Sequence, residues 1–112
     1  MPVEINKILQ YSVDAKASDL HLSTTSVPMV RIDGLVKPLQ LPVLSKDDMV
    51  NIKNEVLSVN QQSLLDEKLE IDFSYEIKGY GRFRVNFFHQ INGLSASFRV
   101  IPSQILSSEE LG

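Results

Sequence analysis

The alternation of apolar and polar residues predicts a chain of helices and short strands. Apolar residues recur at helical spacing over residues 3–16 (Ile5, Ile8, Leu9 and Val13), which predicts an amphipathic helix. Elsewhere the apolar positions alternate with polar ones, as in strands with one buried face. The predicted strands cover residues 18–22, 28–32, a short return segment ending near Pro38, and residues 71–77, 82–90 and 94–101.

Two further helices are predicted in the middle of the chain. Ser45 is a favourable N-cap, and Asp47 and Asp48 follow in the first turn, where acidic side chains interact well with the helix dipole. We expect Asn60 to cap the next helix. The apolar stripes of the two helices are Met49, Ile52 and Val56 in the first, and Leu64, Leu65 and Leu69 in the second.

Turn signals set the expected strand register. Asp33-Gly34 and Asn92-Gly93 predict two-residue hairpin turns, because both central positions can take positive φ. Residues 78–80 predict a three-residue loop. The expected cross-strand pairs are Ile91 with Leu94, Phe87 with Phe98, Val85 with Val100, Phe83 with Pro102, Asn86 with Arg99, Arg84 with Ile101 and Arg82 with Ser103, and, in the preceding hairpin, Tyr75 with Phe83, Phe73 with Val85, Glu76 with Arg82 and Ser74 with Arg84.

This register places charged side chains together on one face of three neighbouring strands. The face holds Arg82, Arg84, Arg99, Asp72, Glu76 and Asn86. One interpretation is a solvated face, whose ion pairs each contribute a few tenths of a kcal/mol. The other is an anion site, because the planar guanidinium group matches phosphate oxygens. The charges alone favour the solvated face.

Composition excludes several classes of chemistry. The chain has 112 residues, which fits one domain, and it contains no cysteine. Its net charge of −3 argues against nonspecific nucleic-acid binding. It has no phosphate-binding loop motif. Asp19 and His21 share one strand face and could act as an acid–base pair or as metal ligands, but no third ligand has suitable spacing, so an interface hydrogen bond is favoured.

The order of the elements predicts an α+β fold. We expect a PAS-like antiparallel sheet of about six strands, covered by helices on one face. Four segments and the tail resemble the N-terminal domain of the PilT-like ATPases that retract type IV pili, within the superfamily of secretion-type hexameric ATPases. These segments are residues 17–23 (ASDLHLS), 28–34 (PMVRIDG), 72–74 (DFS) and 82–86 (RFRVN), followed by 98–103 (FRVIPS) and 106–112.

The resemblance implies a function that the residues alone do not reveal. In that family, a PAS-like domain precedes a RecA-like motor domain that binds ATP and Mg²⁺. Six subunits form a ring in the cytoplasm, peripheral to the inner membrane, where it serves the pilus machinery. The N-terminal domain packs on the neighbouring motor domain, and its arginines point toward the nucleotide. By resemblance this role falls on Arg82, Arg84 and Arg99, with Asp19, His21, Asp72, Glu76 and Asn86 as interface candidates. An Asn-Arg-Gly turn common in the family is Ile91-Asn92-Gly93 here.

The sequence also predicts a domain boundary and leaves one alternative function open. We expect a domain over residues 1–105 and the start of a linker over residues 106–112. Ser107 and Glu110 are spaced as a capping box, which predicts the start of a helix and a longer natural protein. A single closing helical turn is the alternative. The isolated chain is expected to need no cofactor and to hydrolyse nothing. The alternative function is a stand-alone PAS-like sensor or adaptor, which would require an internal cavity with polar groups.

Overall fold

Residues 4–101 form one antiparallel six-stranded sheet with three helices. The structure, a computed structural model, describes residues 4–101. The strand order is β3-β2-β1-β6-β5-β4, so the first and last strands along the chain lie side by side in the middle. The elements are α1 (Ile5–Asp14), β1 (Asp19–Ser23), β2 (Met29–Ile32), β3 (Leu35–Pro38), α2 (Lys46–Val56), α3 (Val59–Lys68), β4 (Glu70–Ile77), β5 (Gly81–Gln90) and β6 (Gly93–Ile101). The predicted α+β class and strand number are confirmed.

All three helices pack into the same core. α1 buries Ile5 and Leu9, α2 buries Met49 and Ile52, and α3 buries Leu65. The sheet contributes eight buried apolar residues to this core: Leu20, Leu22, Val30, Phe83, Val85, Phe87, Ala96 and Phe98. These residues alternate along their strands and pack against the helices. Within residues 4–101, the opposite face of the sheet is covered by no helix.

Reciprocal capping boxes fix the start of both central helices. In α2, the Ser45 side chain accepts a hydrogen bond from the Asp48 amide, and the Asp48 side chain accepts one from the Ser45 amide, which confirms the predicted N-cap. The predicted cap of α3 is wrong. Ser58 caps this helix with Gln61, and Asn60 lies inside its first turn. Leu69 ends α3 in the left-handed conformation, and both Leu64 and Leu69 are exposed, so Leu65 is the buried member of the predicted apolar stripe.

The register of β4 against β5 is confirmed. Tyr75 lies opposite Phe83, Phe73 opposite Val85, and residues 78–80 form the loop. The Asp33-Gly34 turn is confirmed too, since both residues have positive φ and Ile32 pairs with Leu35.

The register of β5 against β6 differs from the prediction by two residues. Gln90 pairs with Gly93, so Ile91 and Asn92 occupy the loop instead of Asn92 and Gly93. Neither loop residue has positive φ, whereas Gly93 has φ +127°. The physical reason lies outside the hairpin. Thr24 packs so closely on Gly93 that a Cβ atom there would lie 2.9 Å from its Oγ1.

This shift changes partners but keeps every side chain on its predicted face, because a two-residue slip preserves the alternation. Phe87 therefore pairs with Ala96 instead of Phe98, and Val85 pairs with Phe98 instead of Val100. The other predicted partners change in the same way: Phe83 pairs with Val100, His89 with Leu94, Asn86 with Ser97, Arg84 with Arg99 and Arg82 with Ile101. The predicted capping box at Ser107 and the boundary near residue 105 lie outside the described residues.

Candidate functional site

All four arginines of the chain lie on the sheet face opposite the helices. The register pairs Asp19 of β1 with Arg31 of β2 on one side and with Arg99 of β6 on the other, and Arg99 pairs in turn with Arg84 of β5. These residues form one row across four strands. Arg82 lies two positions from Arg84 on the same face. We call this surface the arginine face, defined by Arg31, Arg82, Arg84 and Arg99.

Arg84 and Arg99 lie directly opposite each other, where the predicted register made them diagonal neighbours. Like charges in directly opposed positions destabilise a sheet unless counter-charges lie nearby. Two carboxylates supply these counter-charges from opposite sides. Asp19 contacts Arg99 from β1, and Asp72 contacts Arg84 from β4. Each of the two opposed guanidinium groups therefore has its own counter-charge.

Asp19 is the most enclosed member of this site. Its Oδ1 accepts a hydrogen bond from Nε of Arg99 at 3.1 Å, and its Oδ2 accepts one from the Ser18 hydroxyl at 2.9 Å. Nε of Arg31 lies 3.6 Å from Oδ2. Burial opposes ionisation of the carboxyl group, but the hydrogen bonds from Arg99 and Ser18 and the charges of Arg99 and His21 outweigh it. Together they lower the pKa of Asp19 below its ordinary value.

The pair of Arg84 and Asp72 is looser and more exposed. Its two closest atoms, Nε and Oδ1, are 3.7 Å apart, and the two side chains are 62% and 55% exposed. An exposed pair of this kind contributes about 0–1 kcal/mol. Glu76 lies opposite Arg82, as predicted, yet these two side chains form no ion pair. The acid of β4 that pairs with an arginine is thus Asp72 rather than Glu76.

A concavity of about 430 Å³ opens on the arginine face. It brings together six of the eight residues singled out from the sequence and leaves Arg82 and Glu76 outside its lining. The lining residues are Asp19, His21, Asp72, Arg84, Val85, Asn86, Ser97 and Arg99. The Asn86 amide donates to the Ile71 carbonyl at 3.2 Å, which fixes one wall. The arginine, amide and hydroxyl groups of this lining provide hydrogen-bond donors for an anion, and the two carboxylates, Asp19 and Asp72, are each paired with an arginine.

Two members of the site were missed by sequence reasoning. Arg31 joins through Asp19, and Ser97 joins because it pairs with His21 and Asn86. The place of Ser97 beside His21 depends on the pairing of β1 with the distant β6, for which the sequence carries no local signal, whereas Arg31 lies on β2, the next strand along the chain. Asp19 and His21 share a strand face as predicted. Within residues 4–101, however, no group of three metal-ligating side chains includes them.

The ligand-binding alternative requires polar groups lining an internal cavity. Of the buried polar side chains in residues 4–101, Ser12 and Thr24 donate to backbone carbonyls. A second concavity of about 510 Å³ is lined by α1 and the segment after β3, and the residues around it include the exposed Tyr11 and Leu41. No observation on the described residues favours a small-ligand sensor. The same residues include no helix long and apolar enough to cross a bilayer.

Several known proteins are similar to this chain in sequence and in fold. No family model matches the chain. The sequence is 43% identical over 110 residues to the type IV pilus retraction ATPase PilT of Pseudomonas aeruginosa, covering 98% of this chain and 32% of that protein. It is 40% identical over 84 residues to a twitching motility protein of Neisseria gonorrhoeae, covering 75% of this chain and 22% of that protein.

A solved structure extends the match to three dimensions. The crystal structure of the pilus retraction motor PilT with bound ADP superposes with a TM-score of 0.84 at 35% identity, covering 91% of this chain and 30% of that one. The chain is a homologue of the N-terminal domain of PilT-like ATPases. This PilT-like domain spans about a third or less of the length of the curated relatives it matches.

A more distant structure shares the fold of the PilT-like domain. The ATPase DotB of Legionella pneumophila superposes with a TM-score of 0.76 at 22% identity, covering 91% of this chain and 30% of that one. At this identity the likeness concerns the fold.

Proposed function

We propose that the chain is the N-terminal part of a type IV pilus retraction ATPase and that its arginine face meets the nucleotide held by a neighbouring subunit. In this proposal the domain packs on the neighbour's motor domain within a hexameric ring. The ring is cytoplasmic and peripheral to the inner membrane, where it acts on the pilus machinery. Homology to PilT supports the family, and the arginine face supports the role.

The observation that carries the proposal is the openness of the arginine face. The sheet register puts Arg82, Arg84 and Arg99 on the same face, and all three are exposed. The helices bury their apolar residues against the opposite face. The arginines therefore point outward from a rigid sheet, where a second subunit can bring phosphate groups to them. Sites built on strands hold their side chains more accurately than sites on loops.

The residues present fit a polyphosphate ligand. A guanidinium group is permanently charged and can donate two parallel hydrogen bonds to phosphate oxygens. The exposed ion pair with Asp72 costs little to exchange for a phosphate contact. Arg82, Arg84 and Arg99 would contact ATP in the assembled ring. The described residues contain no carboxylate cluster for Mg²⁺, so we assign the ion and the phosphate-binding loop to the motor domain.

When ATP is bound, arginines in this position would stabilise the negative charge that develops on the transferred phosphoryl group. An arginine supplied from a neighbouring subunit can be worth about 10³- to 10⁵-fold in turnover. Three arginines sharing this role would each contribute less. We expect single replacement of Arg82, Arg84 or Arg99 by Ala to lower turnover by at least about tenfold, which corresponds to 1.4 kcal/mol of barrier.

The test measures ATP hydrolysis and ring size of the full-length protein carrying Arg82→Ala, Arg84→Ala or Arg99→Ala. Lys68→Ala is the matched control, because it also removes one positive charge but lies at the end of α3, on the helical side. Lower turnover with an intact ring supports the proposal. Unchanged turnover in all three variants contradicts it, as does ATP hydrolysis by the isolated 112-residue chain.

A further inference from the structure

One carboxylate stands out on the arginine face. Asp19 is the only ionisable residue among the buried polar residues of the described chain, which are Ser12, Asp19, Thr24 and Ser95. A buried carboxylate is costly unless it is paired and hydrogen-bonded. Its side chain is 11% exposed, whereas that of Arg99 is 73% exposed. Asp19 is thus the fixed partner, and Arg99 is the side chain whose orientation it determines.

The geometry of the contact leaves the outer end of Arg99 available. Asp19 accepts from Nε, which is the guanidinium nitrogen nearest the backbone. The two terminal nitrogens of Arg99 make no hydrogen bond within residues 4–101. They carry four N–H donors in a planar fork, the arrangement that matches phosphate oxygens. Asp19 therefore occupies the inner donor and spares the outer ones.

The other oxygen of Asp19 is also engaged, so the carboxylate has little freedom to rotate. Ser18 donates to Oδ2 at 2.9 Å, and Nε of Arg31 lies 3.6 Å from the same oxygen. Arg31 in turn donates from Nη1 to the Gly34 carbonyl at 3.3 Å. This chain of contacts connects the hairpin turn of β2 and β3 to Arg99. Arg31 thus places a second cation beside the oxygen of Asp19 that Arg99 does not contact.

We propose that Asp19 is a positioning residue that orients Arg99 toward a phosphate group of the nucleotide, with Arg31 as the supporting cation. The inference rests on the proposed function for the identity of the ligand. Asp19 does not touch the nucleotide. It reduces the conformational freedom that Arg99 would lose on contact, and its negative charge offsets the repulsion between Arg99 and Arg84, which lie opposite each other in the strand pair.

The first measurement tests the orientation by itself, without any nucleotide. We record the Nε–Hε signals of the arginines by NMR in the 112-residue chain. The Arg99 proton is expected to exchange with water more slowly than that of Arg82, because only the former is hydrogen-bonded. Asp19→Asn, which removes the charge but keeps one acceptor oxygen, should reduce this protection, and Asp19→Ala, which removes both oxygens, should abolish it. Asp66→Asn, an exposed change on α3, should leave it intact. Equal exchange rates for Arg99 and Arg82 in the wild-type chain would overturn the proposal.

The second measurement uses ATP turnover by the full-length protein as a double-mutant cycle. We expect Asp19→Asn to lower kcat by about threefold to tenfold, the usual cost of ordering one long side chain. In an Arg99→Ala background the same change should cost nothing further, because Asp19 acts through Arg99. An undiminished loss in that background would overturn the proposal. Asp66→Asn should turn over ATP as the wild type does.

A third variant covers the case in which Asp19→Asn does not fold, as judged by circular dichroism. Arg99→Lys keeps the charge but has no planar fork to orient, so its turnover should fall as far as that of Arg99→Ala. Wild-type turnover of Arg99→Lys would overturn the proposal. If Arg99→Ala itself turns over ATP normally, the nucleotide role of Arg99 has failed, and the exchange measurement then reports separately whether Asp19 orients this side chain.

Discussion

Replacement of Gly93 by Ala tests the contact that fixes the β5–β6 register. Gly93 has φ +127°, a backbone conformation that residues with a side chain rarely adopt. A Cβ atom at this position would also lie 2.9 Å from Oγ1, 3.1 Å from Cβ and 3.3 Å from Cγ2 of Thr24. Thr24 has no room to withdraw, because it is buried and its hydroxyl donates to the Leu94 carbonyl at 2.8 Å.

The two effects of this substitution can be estimated separately. Backbone strain at a sparsely populated φ costs about 1–3 kcal/mol. Forcing extra volume into a packed site costs a further ~1–3 kcal/mol. We therefore expect Gly93→Ala to lower the free energy of unfolding by about 2–6 kcal/mol, against a total of about 5–15 kcal/mol for a domain of this kind.

Urea denaturation measures the loss, and Gly81→Ala is the matched control. Gly81 has φ +132°, close to that of Gly93, but nothing lies within 4 Å of its added Cβ. The control therefore carries the strain without the clash, and we expect it to be the more stable variant by about 1–3 kcal/mol. Thr24→Ala removes two of the three clashing atoms. Combined with Gly93→Ala, it should cost less than the sum of the two single changes.

Equal stability of Gly93→Ala and Gly81→Ala would refute this reasoning. It would mean that Thr24 moves aside at no cost and that its contact with Gly93 does not select the register. The partner positions of β5 and β6, and with them the pairing of Arg84 with Arg99, would then need another explanation.

Two further predictions concern the core and the buried acid. Phe87 is fully buried, with its ring centroid 6.2 Å from that of Phe73 and 6.1 Å from that of Phe98, so Phe87→Ala should lower the free energy of unfolding by about 3–5 kcal/mol in urea denaturation. Arg99, Ser18 and His21 outweigh burial and lower the pKa of Asp19 in the folded state. The ionised carboxyl therefore stabilises the fold at pH values above the ordinary Asp pKa of about 3.9. This stability is lost as the pH falls through the lower pKa of the folded state. A urea series at decreasing pH should therefore show a smaller acid loss in Asp19→Asn than in the wild type, and equal losses would contradict the shift.

The hairpin of β4 and β5 shows what local sequence can determine. Its alternating residues and the loop at 78–80 place Tyr75 opposite Phe83 without any tertiary information. The hairpin of β5 and β6 shows the limit. Asn92-Gly93 is a favourable turn pair in isolation, yet the turn shifts because Thr24, about 70 residues earlier in the chain, packs on Gly93.

The arginine face was predictable in part. Alternation along β5 and β6 places Arg82, Arg84 and Arg99 on one side of the sheet, and a register error of two residues does not change this. The contact of Asp19 with Arg99 was not predictable, because no local pattern states that β6 lies beside β1. The N-cap of α3, in contrast, depends on local sequence alone. Ser58 and Gln61 are spaced as a capping box, so the sequence does contain a local signal for this cap, and it is stronger than that of Asn60.

The central position of β1 has a consequence for how the chain folds. β1 and β6 pair directly, and the hydrogen bond from Arg99 to Asp19 joins residues 80 positions apart. During synthesis, β1 therefore cannot pair on its second edge until β6 has left the ribosome. Contacts between such distant segments slow the search for the native state. Pairing of β1 with β6 is the step that completes the arginine face, so a chain shortened within its final strand would keep both outer hairpins and still lack this surface.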